Sequence, residues 1–252
     1  MYQYDHEEMM SLLLDFGKAM RKAGAEIWRV EDSLSRLAAS YGAVKTEVFA
    51  ITFTIVLTVR FPDGTESTHT RRFPSDTGTD LNQLERLNAL SRRCAQEPIP
   101  LAALREELHA ITEEKQKSFI EYFGSALAAS AFCLFFGGNF REVPLTALFA
   151  ILICFLQRKL KKLCPNHVFF LFAASLICGI GICLSVRLFP FLRAENIMMG
   201  DIMLLIPGIA ITSAARDMLI GDTISGFTVF LQSLFGAAAL ASGFLIAILF
   251  VG

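Results

Sequence analysis

Apolar side chains recur at helical spacing from the start of the chain, and the recurrence breaks once. Met9, Leu13, Phe16 and Met20 make one stripe over residues 7–22, and Ile27, Val30, Leu34, Leu37 and Tyr41 make a second. Steps of three and four place such side chains on one face of an α-helix. The pattern therefore predicts two amphipathic helices separated near Gly24, with Gly42 ending the second. The period then changes to two. Phe53, Ile55, Leu57, Val59 and Phe61 lie on one face, Thr52, Thr54, Thr58 and Arg60 on the other, as in a strand buried on one side. Pro62-Asp63-Gly64-Thr65 is turn chemistry, and residues 66–73 return as a polar, threonine-rich strand, so the two form a hairpin. Residues 48–51 predict another strand, or an extension of the first through a bulge. Leu81, Leu84 and Leu87 mark a third helix behind Asp80 as N-cap. Leu101, Leu104, Leu108 and Ile111 mark a fourth, opened by Pro100.

Beyond residue 121 the polar face disappears. Residues 122–138, 143–156, 168–186 and 223–252 are uncharged, and 197–215 are apolar apart from Asp201. A bilayer core of about 30 Å takes about 20 helical residues. Five transmembrane helices are predicted, near residues 120–138, 143–159, 167–187, 197–215 and 224–250; the second needs flanking residues to complete its span. The charged segment 113–117 lacks Gly and Pro, which predicts a continuous helix into the first span. The expected fold is an α-helical membrane protein with five transmembrane helices over residues 117–252. A small α+β cytoplasmic domain with an antiparallel hairpin or small sheet precedes them, over residues 1–116.

Charge sharpens this division. Of 47 Asp, Glu, Lys and Arg residues, 34 lie before residue 122. Arg158, Lys159, Lys161 and Lys162 fall between the second and third spans, and Lys115 and Lys117 precede the first. The other side carries Arg141, Arg187 and Arg193. The positive-inside rule then predicts a cytoplasmic N-terminal domain and places Gly252 outside. Residues 1–8 are polar and acidic, without the order of a cleaved signal peptide. A net charge of -1 argues against a nucleic-acid partner. The six cysteines are scattered without a CxxC pair and read as small core residues.

Little in the sequence suggests catalysis. His6, His69, His109 and His167 are far apart, and no Gly-rich phosphate loop follows a strand. Gly179-Ile180-Gly181 lies in an apolar run, where close helix packing accounts for it. No catalytic residue, metal or cofactor is expected. The informative stretch runs from Gly200 to Gly226. Asp201 sits near the start of a span, where a lipid-facing carboxylate costs a few kcal/mol and so should face the bundle or water. Pro207 removes a backbone N–H and Gly208 loosens the turn, predicting a kink or interruption. Freed carbonyls at that depth need protein or a cavity around them, and transporters use broken helices to hold polar substrates. Thr212, Arg216, Asp217 and Asp222 continue the polar series, and Gln232 stands alone in the last span. Each feature has a structural reading: a packing kink, a hydrated interfacial carboxylate, a salt bridge in a turn, a helix–helix hydrogen bond. Their clustering favours a pathway.

Taken in order, the residues carry a resemblance. Ala23-Gly24-Ala25, Arg29-Val30-Glu31-Asp32, the strands around Pro62-Asp63-Gly64, Leu205-Ile206-Pro207-Gly208, Gly221-Asp222 and Ser225-Gly226 resemble the threonine/serine exporter family. The closer likeness is to the larger subunit of its split, two-component form. The resemblance implies export of small hydrophilic metabolites across the bacterial cytoplasmic membrane, driven by the proton-motive force. Threonine and serine are the named substrates, and succinate is linked to some split members. One-chain members carry further spans where this chain stops, which implies a smaller integral membrane partner subunit and leaves room for a higher oligomer. By resemblance, Pro207, Gly208 and the polar residues around them line the route. Asp201, Asp217 and Asp222 bind a proton or an amine, and Arg216 binds a carboxylate or pairs with an aspartate. Arg29, Glu31 and Asp32 form a cytoplasmic vestibule or gate, unless they are a structural salt bridge. A dicarboxylate exporter subunit and a membrane-anchored sensor are the competing readings.

Overall fold

The computed structural model describes residues 5–51, 53–72, 79–114, 118–161 and 163–252. They form two compact units, Met1–Lys115 with Ser213–Thr228, and Gln116–Thr212 with Val229–Gly252.

The first unit opens with α1 (His6–Lys22), capped by Asp5, whose side chain accepts the Glu7 N–H. The chain reverses at Gly24, in the left-handed region at φ 95°, and α2 (Ile27–Ser40) follows. Gly42, at φ 94°, ends it as expected. Three antiparallel strands come next in the order β1 (Lys45–Ile51), β2 (Thr54–Arg60) and β3 (Glu66–Arg72). Residues 48–51 thus belong to a separate strand, with Phe49 opposite Val56. Ile55, Leu57 and Val59 of the central strand are fully buried, and with Phe61 they join Phe16, Met20, Leu34 and Leu37 in one core. On the other face Thr58 shares a 2.8 Å hydrogen bond with Thr68.

α3 (Leu81–Gln96) starts at Asp80, which accepts the Gln83 N–H at 2.9 Å, and α4 (Leu101–Glu113) starts at Pro100. Leu87 is buried, but Leu81 is 66% exposed and does not belong to the core stripe. It occupies the first helical position, where the turn beneath it has yet to form. The continuous helix expected through residues 113–117 is also corrected. α4 ends at Glu113 and Glu114 is extended. Thr52, Phe73, Lys115, Lys117 and Lys162 lie outside the described residues.

The second unit contains α5 (Ser118–Phe135), α6 (Val143–Lys159), α7 (His167–Leu188) and α8 (Ala194–Leu205). α9 (Gly208–Leu219) and α10 (Thr223–Val251) are shared between the units. Among the described residues, α7 and α10 are long and apolar enough to cross a membrane, and α8 with α9 makes a third span if the bent pair is one. α5 is apolar but short of that length, and α6 has 17 residues ending in Arg158 and Lys159. Two or three spans, rather than five, therefore meet the length criterion.

Polar contacts sort the helix ends of this unit. Arg158 pairs with Glu121 at 2.8 Å, joining the end of α6 to the start of α5. Glu142, before α6, accepts from Arg193 N and Asn196 Nδ2 at the start of α8. Arg187 at the end of α7 donates to the Gly252 carbonyl at 3.2 Å. Gly179-Ile180-Gly181 does serve packing. A Cβ on Gly179 would lie 2.7 Å from Ala247 of α10, and one on Gly181 would lie 2.6 Å from Phe149 of α6. Large apolar side chains face outward, among them Phe123, Leu127, Leu148, Ile151, Leu184 and Leu245. A water-soluble surface rarely presents so much apolar area, whereas lipid tails accept it.

Candidate functional site

The fourth expected span is broken where the sequence placed the break. α8 ends at Leu205, Ile206 is extended, and α9 starts at Gly208 with its axis turned by 50°. The cause is local. Pro207 has no N–H to offer the Met203 carbonyl, and the Gly208 N–H turns to Ile206 O at 2.8 Å, away from Leu204. Thr212 is exposed and spends its hydroxyl on its own helix, bonding Gly208 O and Ile209 O. Gln232 is exposed on α10.

Asp201 lies one turn before the break. It is completely buried in the second unit, and among the described residues neither carboxylate oxygen has a hydrogen-bond partner. Its neighbour Gly200 explains how α8 comes so close to α5 and α6. A Cβ there would sit 2.6 Å from Ala129 O, 2.8 Å from Thr146 Cγ2 and 3.0 Å from Cys133 Cβ. Cys133 of α5 and Cys178 of α7 lie within electrostatic reach of the carboxylate. The hydrated-interface reading of Asp201 does not hold. Glu142, which the sequence reading passed over, is equally buried but fully served. It accepts from Asn139 N at 2.7 Å, Asn196 Nδ2 at 3.0 Å and Arg193 N at 3.1 Å.

The remaining polar residues gather in the first unit, around Ser213–Thr228. Arg216 donates to Glu26 Oε1 at 2.6 Å and stacks 5.7 Å from the Trp28 ring. Arg29 stacks on the same ring at 5.2 Å, and Trp28 Nε1 donates to Glu26 Oε2 at 2.7 Å. Asp217 is 7% exposed, and its Oδ1 has no partner among the described residues. It feels the charges of Asp222, Arg21, Glu26 and Arg216. Arg21, 8% exposed, donates through Nη1 to Ala25 O, while its Nε has no partner among the described residues. Burial pulls its guanidinium below the ordinary value, and the Asp217 charge pushes it back up. Gly221, at φ 104°, makes the turn between α9 and α10. Gly226 lets them pack closely, since a Cβ there would lie 2.7 Å from both Ala214 O and Met218 Cγ.

Glu31 belongs to this group and Asp32 does not. Glu31 accepts the Ala50 N–H at 2.9 Å and lies within reach of Asp222. Asp32 is exposed and pairs with Arg36 at 2.6 Å. Burial raises the Glu31 carboxyl above its ordinary range; the Ala50 bond opposes that rise and the Asp222 charge adds to it. A raised carboxylate stabilises the fold below the unfolded value, about 4.3, and that contribution is lost as pH rises through the folded value. Glu31→Gln keeps an acceptor for Ala50 without the charge. It should raise stability at pH 7 by under about 1 kcal/mol, because the side chain is partly exposed. The gain over the parent should shrink towards pH 4, read from thermal unfolding in detergent at both pH values.

The chain, which carries this charged group and a broken apolar helix pair, matches a known family. A family model described as "Putative threonine/serine exporter" matches residues 11–251. The chain belongs to the threonine/serine exporter family. No curated protein and no solved structure matches it. Threonine/serine exporters are transporters and not enzymes, and their apolar helices make them membrane proteins. For a member of this family, the buried Asp201, the break at Pro207 and the charged group around Asp217 are the candidate working parts. Among the described residues no group of three or more His, Cys, Asp or Glu is placed to hold a metal ion.

Proposed function

We propose that this chain is one subunit of a secondary exporter driven by the proton-motive force, with threonine and serine as its main substrates. The observation that carries the reading is the 50° break at Pro207, which follows a buried carboxylate without partners at Asp201. A passive anchor needs neither feature. Broken helices expose backbone groups at depth, and buried ionisable groups in spans mark proton or substrate routes. Asp201 serves as the proton carrier, and the charged group around Asp217 receives the substrate.

In this reading five helices cross the bacterial cytoplasmic membrane, with residues 1–116 inside and the C-terminus outside. The sorting of helix ends in the second unit supports it. Glu121 and Arg158 mark one end, and the start of α6 marks the other, together with the start of α8. α5 and α6 cross with help from their flanking residues. A smaller membrane protein of the same family completes the conduit.

Around Asp217, carboxylates (Glu26, Glu31, Asp217, Asp222) outnumber guanidiniums (Arg21, Arg29, Arg216). That balance favours a substrate with an ammonium group over a dicarboxylate such as succinate. The test is reconstitution of the chain in proteoliposomes, with and without a smaller membrane protein of the same family, followed by counterflow of labelled threonine, serine and succinate. Saturable threonine and serine exchange that needs both chains is expected. Flux of succinate alone would replace the substrate assignment. No flux of any of the three would return the chain to the sensor reading.

A further inference from the structure

Two opposite charges in the first unit are each buried and each incomplete. Among the described residues, Asp217 Oδ1 and Arg21 Nε have no hydrogen-bond partner, although both residues are more than nine-tenths buried. They act on each other electrostatically. Yet among the described residues no ion pair joins them, and Arg21 Nη1 is turned to Ala25 O. An unfilled buried donor or acceptor costs about 1–3 kcal/mol, and more when it is charged. Their sequence neighbours bring the two into one neighbourhood: Arg21 donates to Ala25 O, and Glu26, next to Ala25, pairs with Arg216, next to Asp217. Two unsatisfied groups of opposite sign there complement a molecule that carries both an anion and a cation.

We infer that Arg21, Glu31, Asp217 and Asp222 form a binding site for an α-amino-acid zwitterion, its ammonium on Asp217 and its carboxylate on Arg21. The inference rests on the exporter reading for its physiological meaning, but not for its chemistry. Asp222, whose charge acts on both Asp217 and Glu31, adds negative potential on the ammonium side. Arg216, the guanidinium in the conspicuous stretch of sequence, is not the carboxylate ligand. It is already engaged by Glu26 and by the face of Trp28. A proton or a metal ion would complete Asp217 and leave Arg21 unfilled. A dicarboxylate would complete Arg21 and add repulsion at Asp217. Gly221 and Gly226 set the tight α9–α10 turn that brings Asp217 and Asp222 together.

The chain carries its own reporter. Trp28 is its only tryptophan and is 37% exposed. It touches Arg29, Arg216 and Glu26 at the edge of this group. The experiment uses the full chain in lipid nanodiscs. Trp28 emission is followed on titration with threonine and serine, with equilibrium dialysis of labelled threonine in parallel so that a silent tryptophan does not hide binding. Threonine methyl ester lacks the carboxylate, 2-hydroxybutyrate lacks the amine, and succinate carries two carboxylates; all three should bind weakly.

Asp217→Asn and Arg21→Lys, checked for folding by thermal unfolding, should each weaken threonine binding at least about tenfold, as expected for a lost hydrogen bond to a charged group. Glu107→Gln, in an exposed pair with Arg93, should leave binding unchanged. Parent affinity in folded Asp217→Asn would overturn the site, as would equal binding of the ester or the hydroxy acid. Threonine flux together with parent affinity in Asp217→Asn leaves the exporter reading standing and removes this site. Zwitterion binding that Asp217→Asn abolishes, in a protein that moves nothing, does the reverse.

Discussion

Asp201→Asn should leave the protein folded, with a thermal midpoint at or above that of the parent, and should abolish export driven by a pH gradient. Asn is almost the size of Asp, so the close approach of α8 to α5 and α6 at Gly200 is undisturbed. It removes a carboxylate that is wholly buried and receives no hydrogen bond at either oxygen. An ionised group in that position is opposed by desolvation with nothing to offset it. Stability therefore has little to lose. Structural carboxylates look different, as Glu142 shows with its three close donors. A proton carrier has to exchange its proton, and an amide cannot. Gradient-driven flux should fall at least about tenfold, while exchange of labelled for unlabelled substrate at equal pH persists, because exchange needs no net proton movement. Proteoliposomes carrying parent and variant, compared under both regimes, separate the two effects. Undiminished gradient-driven flux in the variant would remove Asp201 from the coupling route.

How much of this was legible beforehand depends on sequence distance. Locally determined features were clear: the stripes of α1 and α2, the alternation of β2, the Asp80 cap and the break at Pro207. Each follows from contacts a few residues apart. Leu81 was misread because periodicity counts a residue as core before a helix has formed around it. The helix expected through residues 113–117 failed because an absence of Gly and Pro permits a helix without compelling one. Glu114 adopts an extended backbone with neither residue present.

The charged group was less visible. Asp217, Asp222, Arg29 and Glu31 stood out individually, but Arg216 meets Glu26 across 190 residues, and no local pattern encodes that meeting. Arg21 looked like an ordinary basic residue in the last turn of a helix, where it complements the dipole. Its burial, not its identity, makes it interesting. Glu26 and Trp28 carried no signal beyond the rarity of tryptophan in this chain. Glu142 was passed over beside Arg141, which counted only in the charge balance of the two sides.

Pro207→Ala should repair the broken helix and stop transport. The alanine restores an N–H beneath the Met203 carbonyl and removes the ring that excludes the preceding turn, a penalty of about 3 kcal/mol in a helix interior. Gly208 then has no reason to turn its N–H to Ile206 O, and its regular acceptor at Leu204 becomes available. The 50° bend between α8 and α9 should relax towards a straight helix. Hydrogen exchange reports this directly, as slower exchange over residues 203–209 in the variant. Thermal stability should rise by an amount within that penalty, because the neighbouring helices are packed around a bent axis and have to adjust. Transport is predicted to fall further than for any single exposed polar residue of the stretch, Thr212 included, since that hydroxyl is already satisfied within its own helix. A variant with slowed exchange at residues 203–209 and parental flux would show that the break shapes packing alone. A variant with unchanged exchange would show that the neighbouring helices, and not the proline, impose the bend.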